Sequence, residues 1–222
     1  MENNIASLIQ LFEENRNEVQ VGPMEKYMKN QFPFLGIKKP LRSELQKQFF
    51  KKTGVLNEPF NHEFVLALWQ KDEREYQYAA LSYIEKSLKK LQKQDLALME
   101  TLITTKSWWD TVDTLAAKPV GTIAQQFPEV IEEHFDKWIT AEDIWLRRTA
   151  LLFQLKYKQS TNEHLLYEYI LKNAERKEFF IQKAIGWVLR EYSKTNPASV
   201  KEFLQNHQVS RLSYREGSKY LT

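Results

Sequence analysis

The chain has 222 residues, of which 42% are hydrophobic and 27% are charged, so it can bury the core of one domain or small repeat array and is neither disordered nor fibrous. Six Gly and seven Pro disfavour β-rich folds and Gly-rich nucleotide loops, and the absence of Cys excludes disulfides, zinc ribbons and Cys nucleophiles. The net charge is only +3, but residues 144–194 contain ten Lys and Arg against five Asp and Glu, which hints at a polyanionic partner.

The N-terminus, residues 1–9, lacks the basic start and apolar core of a signal peptide. No run in the sequence approaches the roughly 18 apolar residues of a membrane span. We therefore expect a cytoplasmic protein with no membrane contact. Residues 1–37 are predicted to form N-terminal capping helices, and residues 38–222 to form helix-pair repeats of the same single domain.

A repeat of 35 residues follows the N-terminal segment. Four segments superpose at this spacing, each reaches a small residue at its sixth position, and an apolar-periodic stretch precedes each one; they begin at Arg74, Trp109, Ile144 and Phe179. Weaker echoes start at Lys39 and Tyr214. Each repeat is therefore predicted to be a pair of helices.

Helix-start signals agree with this division. The residues that favour a helix N-terminus include Pro40 and Pro197, together with Asp72, Ser107 and Glu142 ahead of the superposed segments. A period of 35 with two helices per unit is typical of tetratricopeptide, HEAT or armadillo solenoids, and the tetratricopeptide Gly and Pro positions are not matched. The predicted fold is all-α, a right-handed superhelix (α-solenoid) of HEAT-like helix pairs.

The position before each small residue is polar or charged in every repeat. The series is Tyr78, Asp113, Arg148 and Lys183. Trp109 precedes Asp113 by four residues and Trp187 follows Lys183 by four, so each tryptophan shares a helix face with a charged residue. The simplest interpretation is a solvated helix face. Against it stands the mixture of an acid, an arginine, a lysine and indoles on one stripe.

Other kinds of site find little support. The four histidines are scattered without metal-ligand spacing, and no Walker, GxSxG or GxGxxG motif is present. We therefore expect no metal and no cofactor.

Several long strings resemble the AlkD family of bacterial DNA alkylation repair glycosylases, and together they span nearly the whole chain. The strings are Met24–Asn30, Phe34–Ile37, Lys106–Asp113 (KSWWDTVD), Ile144–Arg148 (IWLRR), Phe153–Lys158 (FQLKYK), Lys177–Tyr192 (KEFFIQKAIGWVLREY) and Lys194–Pro197. The SWWDxVD and FFIQKAIGWVLREY strings are long and specific.

The resemblance implies a superhelix whose basic face binds duplex DNA and a monofunctional glycosylase that removes N3- or N7-alkylated purines in base excision repair. It implies that Asp113 is the catalytic aspartate, that Trp109 and Trp187 are the active-site tryptophans, and that Arg148 grips a phosphate. The further DNA-binding residues are then expected to be Tyr27, Lys156 and Arg190, with Lys183 from the repeat register and Lys38, where the family often has a neutral polar residue. We expect a monomer with duplex DNA as its partner and no obligate protein partner.

These residue types suit the chemistry of an alkylated purine. Alkylation at N3 or N7 makes the base a cationic leaving group, and its departure leaves a sugar that resembles an oxocarbenium ion. A carboxylate such as Asp113 can stabilise that sugar and orient or deprotonate water. Two alternatives stay open: a non-catalytic solenoid adaptor, and a DNA-structure-binding protein without hydrolysis. An adaptor, however, has no reason to place Asp113 within a basic stripe.

Overall fold

The computed structural model describes residues 2–221, and these residues contain helices and no β-strand. The predicted all-α class is therefore confirmed. None of the described helices is long and apolar enough to cross a membrane. The chain divides between Leu91 and Gln92 into two compact units. The single domain and the capping role of residues 1–37 stay predictions.

The first unit contains five α-helices among its described residues. They are α1 (Glu2–Glu13), α2 (Glu18–Tyr27), α3 (Lys39–Thr53), α4 (His62–Trp69) and α5 (Arg74–Lys86). The extended segment between α2 and α3 is held by Glu75, a buried carboxylate of α5 that accepts hydrogen bonds from the backbone N–H groups of Leu35 and Ile37, both at 3.0 Å. Burial raises the pKa of Glu75, and these two hydrogen bonds oppose the rise.

The second unit continues the pattern of paired helices. Its α-helices, within the described residues, are α6 (Leu96–Thr104), α7 (Trp109–Leu115), α8 (Gly121–Gln126), α9 (Asp136–Trp138), α10 (Ile144–Leu152), α11 (Glu163–Leu171), α12 (Phe179–Tyr192), α13 (Pro197–Asn206) and α14 (Arg211–Gly217). A π-helical turn joins α7 to α8 and accommodates Pro119, which has no N–H to donate. Helices α7, α10 and α12 pack in sequence, α10 against each of the other two, and α14 packs on α12.

The 35-residue repeat is visible in the helix boundaries. Helices α5, α7, α10 and α12 begin at Arg74, Trp109, Ile144 and Phe179, the first residues of the four superposed segments. The echo at Lys39 coincides with the start of α3, whereas Tyr214 lies inside α14 rather than at its start. The predicted starts of these four helices are thus confirmed.

The small residues of the repeat mark the packed side of these helices. Ala79, Thr149 and Ala184 are buried, and Thr114 is half-buried. A helix can approach closely where a side chain is small, so this position faces a neighbour rather than solvent. The residue before it therefore lies at the edge of the packed face.

The helix N-termini lie one residue after the predicted start signals. The N-cap residues of α5, α7 and α10 are Glu73, Trp108 and Asp143, where the sequence patterns favour Asp72, Ser107 and Glu142. Only Asp143 of these three caps with its side chain, which accepts from the N–H of Trp145 at 2.7 Å. Pro197 follows the N-cap Asn196 at the start of α13, as predicted.

Candidate active site

A cavity of about 350 Å³ lies within the second unit. Residues of α7, α10, α12 and α14 line it: Trp109, Asp113, Arg148, Phe179, Phe180, Lys183, Trp187, Arg190 and Glu216. The first three of these helices are successive members of the repeat, so equivalent positions on them are neighbours in space. Asp113, Arg148 and Lys183 occupy one such position, 35 residues apart, and reach the same cavity.

An ion pair between Asp113 and Arg148 forms the polar part of the cavity wall. Nε of Arg148 donates to Oδ1 of Asp113 at 2.7 Å, and Nη2 donates to Oδ2 at 2.9 Å. The two side chains are only 16% and 5% exposed, respectively. Two parallel charge-assisted hydrogen bonds fix the plane of the carboxylate as well as its position.

Arg148 is itself held from the other side. Its Nη1 donates to the backbone carbonyl of Phe180 at the start of α12. The ring of Phe180 packs against Trp145 and Trp108, with centroid separations of 5.0 and 5.1 Å. The guanidinium is therefore oriented by the carboxylate of Asp113 and the carbonyl of Phe180, whose ring packs in an aromatic cluster.

The surroundings of Asp113 change its acidity. Burial raises the pKa of its carboxyl above the ordinary value, while the hydrogen bonds and charge of Arg148 oppose the rise. The nearby Asp110 adds a smaller upward contribution to that pKa. Asp113 is thus a mostly buried carboxylate with enhanced proton affinity, which are properties of a group that can accept a proton from water.

The two neighbouring tryptophans at the start of α7, the N-cap residue Trp108 and the first helical residue Trp109, have different surroundings, although both are half-buried. Trp108 packs on Trp145 and Phe180, and its Nε1 is buried without a hydrogen-bond acceptor among the described residues. Trp109 lines the cavity, as does Trp187 from α12. The two tryptophans therefore differ in what they contact and not in how far they are buried.

Two cations and a second carboxylate form another part of the cavity wall. Lys183 and Arg190 lie two turns apart on α12, and both donate to Glu216 of α14, at 3.0 and 2.7 Å. The hydrogen bond from Lys183 is the main reason that the pKa of Glu216 is lowered. The sequence did not predict Glu216, Phe179 or Phe180 as site residues.

The remaining sequence-predicted DNA-binding residues lie elsewhere. Tyr27, at the end of α2, is 71% exposed, and Lys38 is the exposed N-cap residue of α3; both belong to the first unit. Lys156 is exposed in the turn after α10 and does not line the cavity. Arg148 does line the cavity, where its buried guanidinium binds Asp113 and Phe180, and its phosphate contact stays a prediction.

The described residues contain no group of three or more His, Cys, Asp or Glu side chains that could hold a metal ion. The charged groups of the cavity are instead arranged as carboxylates with cationic partners. This arrangement can bind an anion through its cations and can place a carboxylate beside a positively charged ligand.

Comparisons with known proteins agree with the fold and point to a repair activity. The sequence matches the family model for "DNA alkylation repair enzyme" over residues 8–221. A protein from Enterococcus faecalis, described as a "predicted DNA alkylation repair enzyme", is 37% identical, with 93% of this chain and 97% of that chain covered and a TM-score of 0.83. That match is consistent with the predicted α-solenoid.

A second solved structure, smu.31 from Streptococcus mutans UA159, is 18% identical and supports the fold alone. The match covers 82% of this chain and 98% of that chain, with a TM-score of 0.59. No curated protein sequence matches the chain.

Proposed function

This chain belongs to the family of DNA alkylation repair enzymes, and from that premise we propose that it is a monofunctional DNA glycosylase, which hydrolyses the N-glycosidic bond of N3- or N7-alkylated purines in duplex DNA. The single observation that carries the proposal is the placement of Asp113. It is a mostly buried carboxylate, oriented by Arg148, in a cavity that Trp109 and Trp187 also line.

The reaction needs little beyond such a carboxylate. The alkylated base carries a positive charge, so the bond between C1′ and the purine nitrogen breaks with both electrons leaving on the base, which departs neutral. The deoxyribose becomes cationic as the bond breaks. Asp113 stabilises this cation from a mostly buried position, where charge interactions are stronger than in water.

Water then completes the reaction. Its oxygen bonds to C1′, and Asp113 accepts the proton that water loses, so the products are the free alkylated base and an abasic site. The raised pKa of Asp113 supports this second role. The faces of Trp109 and Trp187 favour a cationic sugar or base, with a contribution of roughly 0.5–2 kcal/mol each.

DNA binding in this proposal goes mainly through the phosphate backbone. Lys183 and Arg190 at the cavity, and the exposed Lys156, supply positive charge in the second unit. The exposed Tyr27 and Lys38 supply contacts from the first unit. Backbone contacts of this kind bind without sequence preference and weaken as salt is raised.

We assign Arg148 a role other than the phosphate binding that the family resemblance implies. Its hydrogen bonds hold Asp113 in one orientation, so we assign it the positioning of the catalytic carboxylate. Any contact that its remaining N–H groups make with a phosphate is secondary to that role.

One assay tests the proposal. Purified protein, without added metal or cofactor, is incubated with duplex DNA that contains 7-methylguanine, and free alkylated base and alkali-labile sites are measured. Release is expected from the wild-type protein and not from Asp113→Asn. Glu168→Gln is the control and should release base as the wild type does, because Glu168 forms an exposed pair with Lys172 and does not line the cavity.

The outcome separates the alternatives. DNA binding without base release would indicate a DNA-structure-binding protein, and absence of DNA binding would favour a solenoid adaptor. Equal release by the wild type and Asp113→Asn would refute the role of Asp113.

A further inference from the structure

Glu216 links two cations of the cavity through its two carboxylate oxygens. Oε1 accepts a hydrogen bond from Nζ of Lys183 at 3.0 Å, and Oε2 accepts one from Nη1 of Arg190 at 2.7 Å. Each oxygen thus serves a different cation, and the two cations lie two turns apart on α12. Arg215 stands farther off, with Nη2 at 3.9 Å from Oε1.

The packing of α14 on α12 fixes the place from which Glu216 reaches these cations. A Cβ atom on Gly186 would lie only 2.6 Å from Cβ of Glu216, so the two helices approach each other at a position without a side chain. Gly217 similarly lies against Leu189. The close approach of the two backbones therefore places the base of the Glu216 side chain against α12.

Glu216 is the least exposed of the three charged side chains. The side chain of Glu216 is 19% exposed, that of Arg190 is 25% and that of Lys183 is 36%. Lysine has three N–H donors and arginine has five, and Glu216 accepts one from each. Most donors of both cations therefore remain to bind a second acceptor on the more exposed side.

We infer that Glu216 is a positioning residue for DNA binding: it holds Lys183 and Arg190 so that their remaining donors bind phosphates of a DNA strand at the cavity. The inference rests on the proposed function for its ligand, but it concerns binding and not base release. The held cations lose less side-chain freedom when DNA binds, which strengthens the complex.

The opposite effect would come from charge alone. A carboxylate near DNA repels phosphate, so a Glu216 without a positioning role would weaken binding, and its removal would tighten the complex. The two roles therefore predict changes of opposite sign.

Glu216→Asp distinguishes them, because it keeps the charge and withdraws the carboxylate by one methylene. We expect this variant to bind undamaged duplex DNA about two- to tenfold more weakly than the wild type, since the two cations are no longer held. The logarithmic salt dependence should become shallower by about 0.9 for each phosphate that the variant no longer binds. Fluorescence anisotropy over a series of salt concentrations measures both quantities.

Glu216→Gln tests the same point with a matched control. Glu168→Gln removes one negative charge from an exposed pair with Lys172 on α11 and so reports the general effect of charge on DNA binding. Glu216→Gln should bind DNA more weakly than Glu168→Gln. When Lys183 and Arg190 are both replaced by alanine, Glu216→Gln and Glu168→Gln should change binding equally, because nothing remains for Glu216 to position.

Several results would overturn the inference. One is that Glu216→Asp binds DNA with the affinity and salt dependence of the wild type, and another is that Glu216→Gln binds DNA more tightly than Glu168→Gln does. Failure of the wild type to bind duplex DNA would overturn it as well. A purely structural role would lower the thermal unfolding midpoint of Glu216→Asp and leave its salt dependence unchanged, which also contradicts it. Absence of base release with the binding differences intact would refute only the glycosylase proposal.

Discussion

Replacement of Asp113 by asparagine should affect the stability of the protein as well as its chemistry. The substitution removes the negative charge that faces Arg148 in a site where both side chains are largely excluded from water. The amide oxygen can still accept from Nε of Arg148. The amide nitrogen, however, is a donor and would face the donor Nη2 where Oδ2 now accepts at 2.9 Å.

The expected loss of stability follows from these contacts. Removal of one partner from a buried ion pair typically costs about 3–5 kcal/mol, because the other charge is left buried. Arg148 keeps its bond to Phe180 and one bond to residue 113, and the burial penalty that raises the pKa of Asp113 is relieved. We therefore expect a loss of about 2–3 kcal/mol, near or below the lower end of that range. The thermal midpoint should fall by about 5–10 °C.

Tryptophan fluorescence during urea unfolding is a suitable assay. Five of the six tryptophans lie after residue 91, so the signal reports mainly on the unit that contains the ion pair. Glu168→Gln, at an exposed ion pair, is the control and should lose less than about 1 kcal/mol. The double variant Asp113→Asn/Arg148→Met should lose less stability than the sum of the two single losses, because no buried charge is left alone.

One result would refute this reasoning. If Asp113→Asn unfolds at the same urea concentration as Glu168→Gln, the pair does not contribute as a buried charge pair. The role that we assign to Arg148 would then lose its physical basis.

Three further outcomes follow from the site. Trp187→Ala should slow single-turnover base release by about 2- to 30-fold, in keeping with a cation–π contribution, and a reduction as large as that of Asp113→Asn would contradict this role. Lys183→Ala should make the logarithmic salt dependence of DNA binding shallower by about 0.9, whereas Lys172→Ala, at a surface pair, should leave it unchanged. Because burial raises the pKa of Asp113, base release should fall on acidification with a midpoint above that of an ordinary aspartate. Arg148→Met should move this midpoint higher, since the guanidinium that opposes the rise in pKa is gone. Identical pH profiles for the wild type and Arg148→Met would contradict this assignment.

The repeat and its helix starts could be predicted because they follow from local patterns. Apolar residues at helical spacing recur every 35 residues, and the helices that begin at Arg74, Trp109, Ile144 and Phe179 reproduce that spacing. The caps are displaced by one residue from the predicted positions, since several residue types can precede a helix and only backbone geometry selects among them.

The pairing of Arg148 with Asp113 was not predicted from the sequence. Asp113 and Arg148 have equivalent positions in adjacent repeats, which places them side by side, and opposite charges at that distance can pair. The periodicity does not tell how far each side chain is buried. Both side chains are largely buried here, and in that position the guanidinium of Arg148 binds the carboxylate of Asp113.

Glu216 was missed for a different reason. It lies on α14, whose start does not follow the 35-residue spacing, and it reaches the cavity through the close packing of α14 on α12. Its partners Lys183 and Arg190 are 33 and 26 residues away in the sequence. No local pattern marks such a contact, which only the three-dimensional arrangement reveals.

Gly186 does not line the cavity, but its lack of a side chain determines where the cavity residue Glu216 lies. Even a single methyl group there would force α14 away from α12, because its nearest neighbour would be the Cβ atom of Glu216 at 2.6 Å. Gly186→Ala would thus displace the side chain of Glu216 without altering any charge. Natural variation should spare Gly186 for as long as the last helix rests against α12.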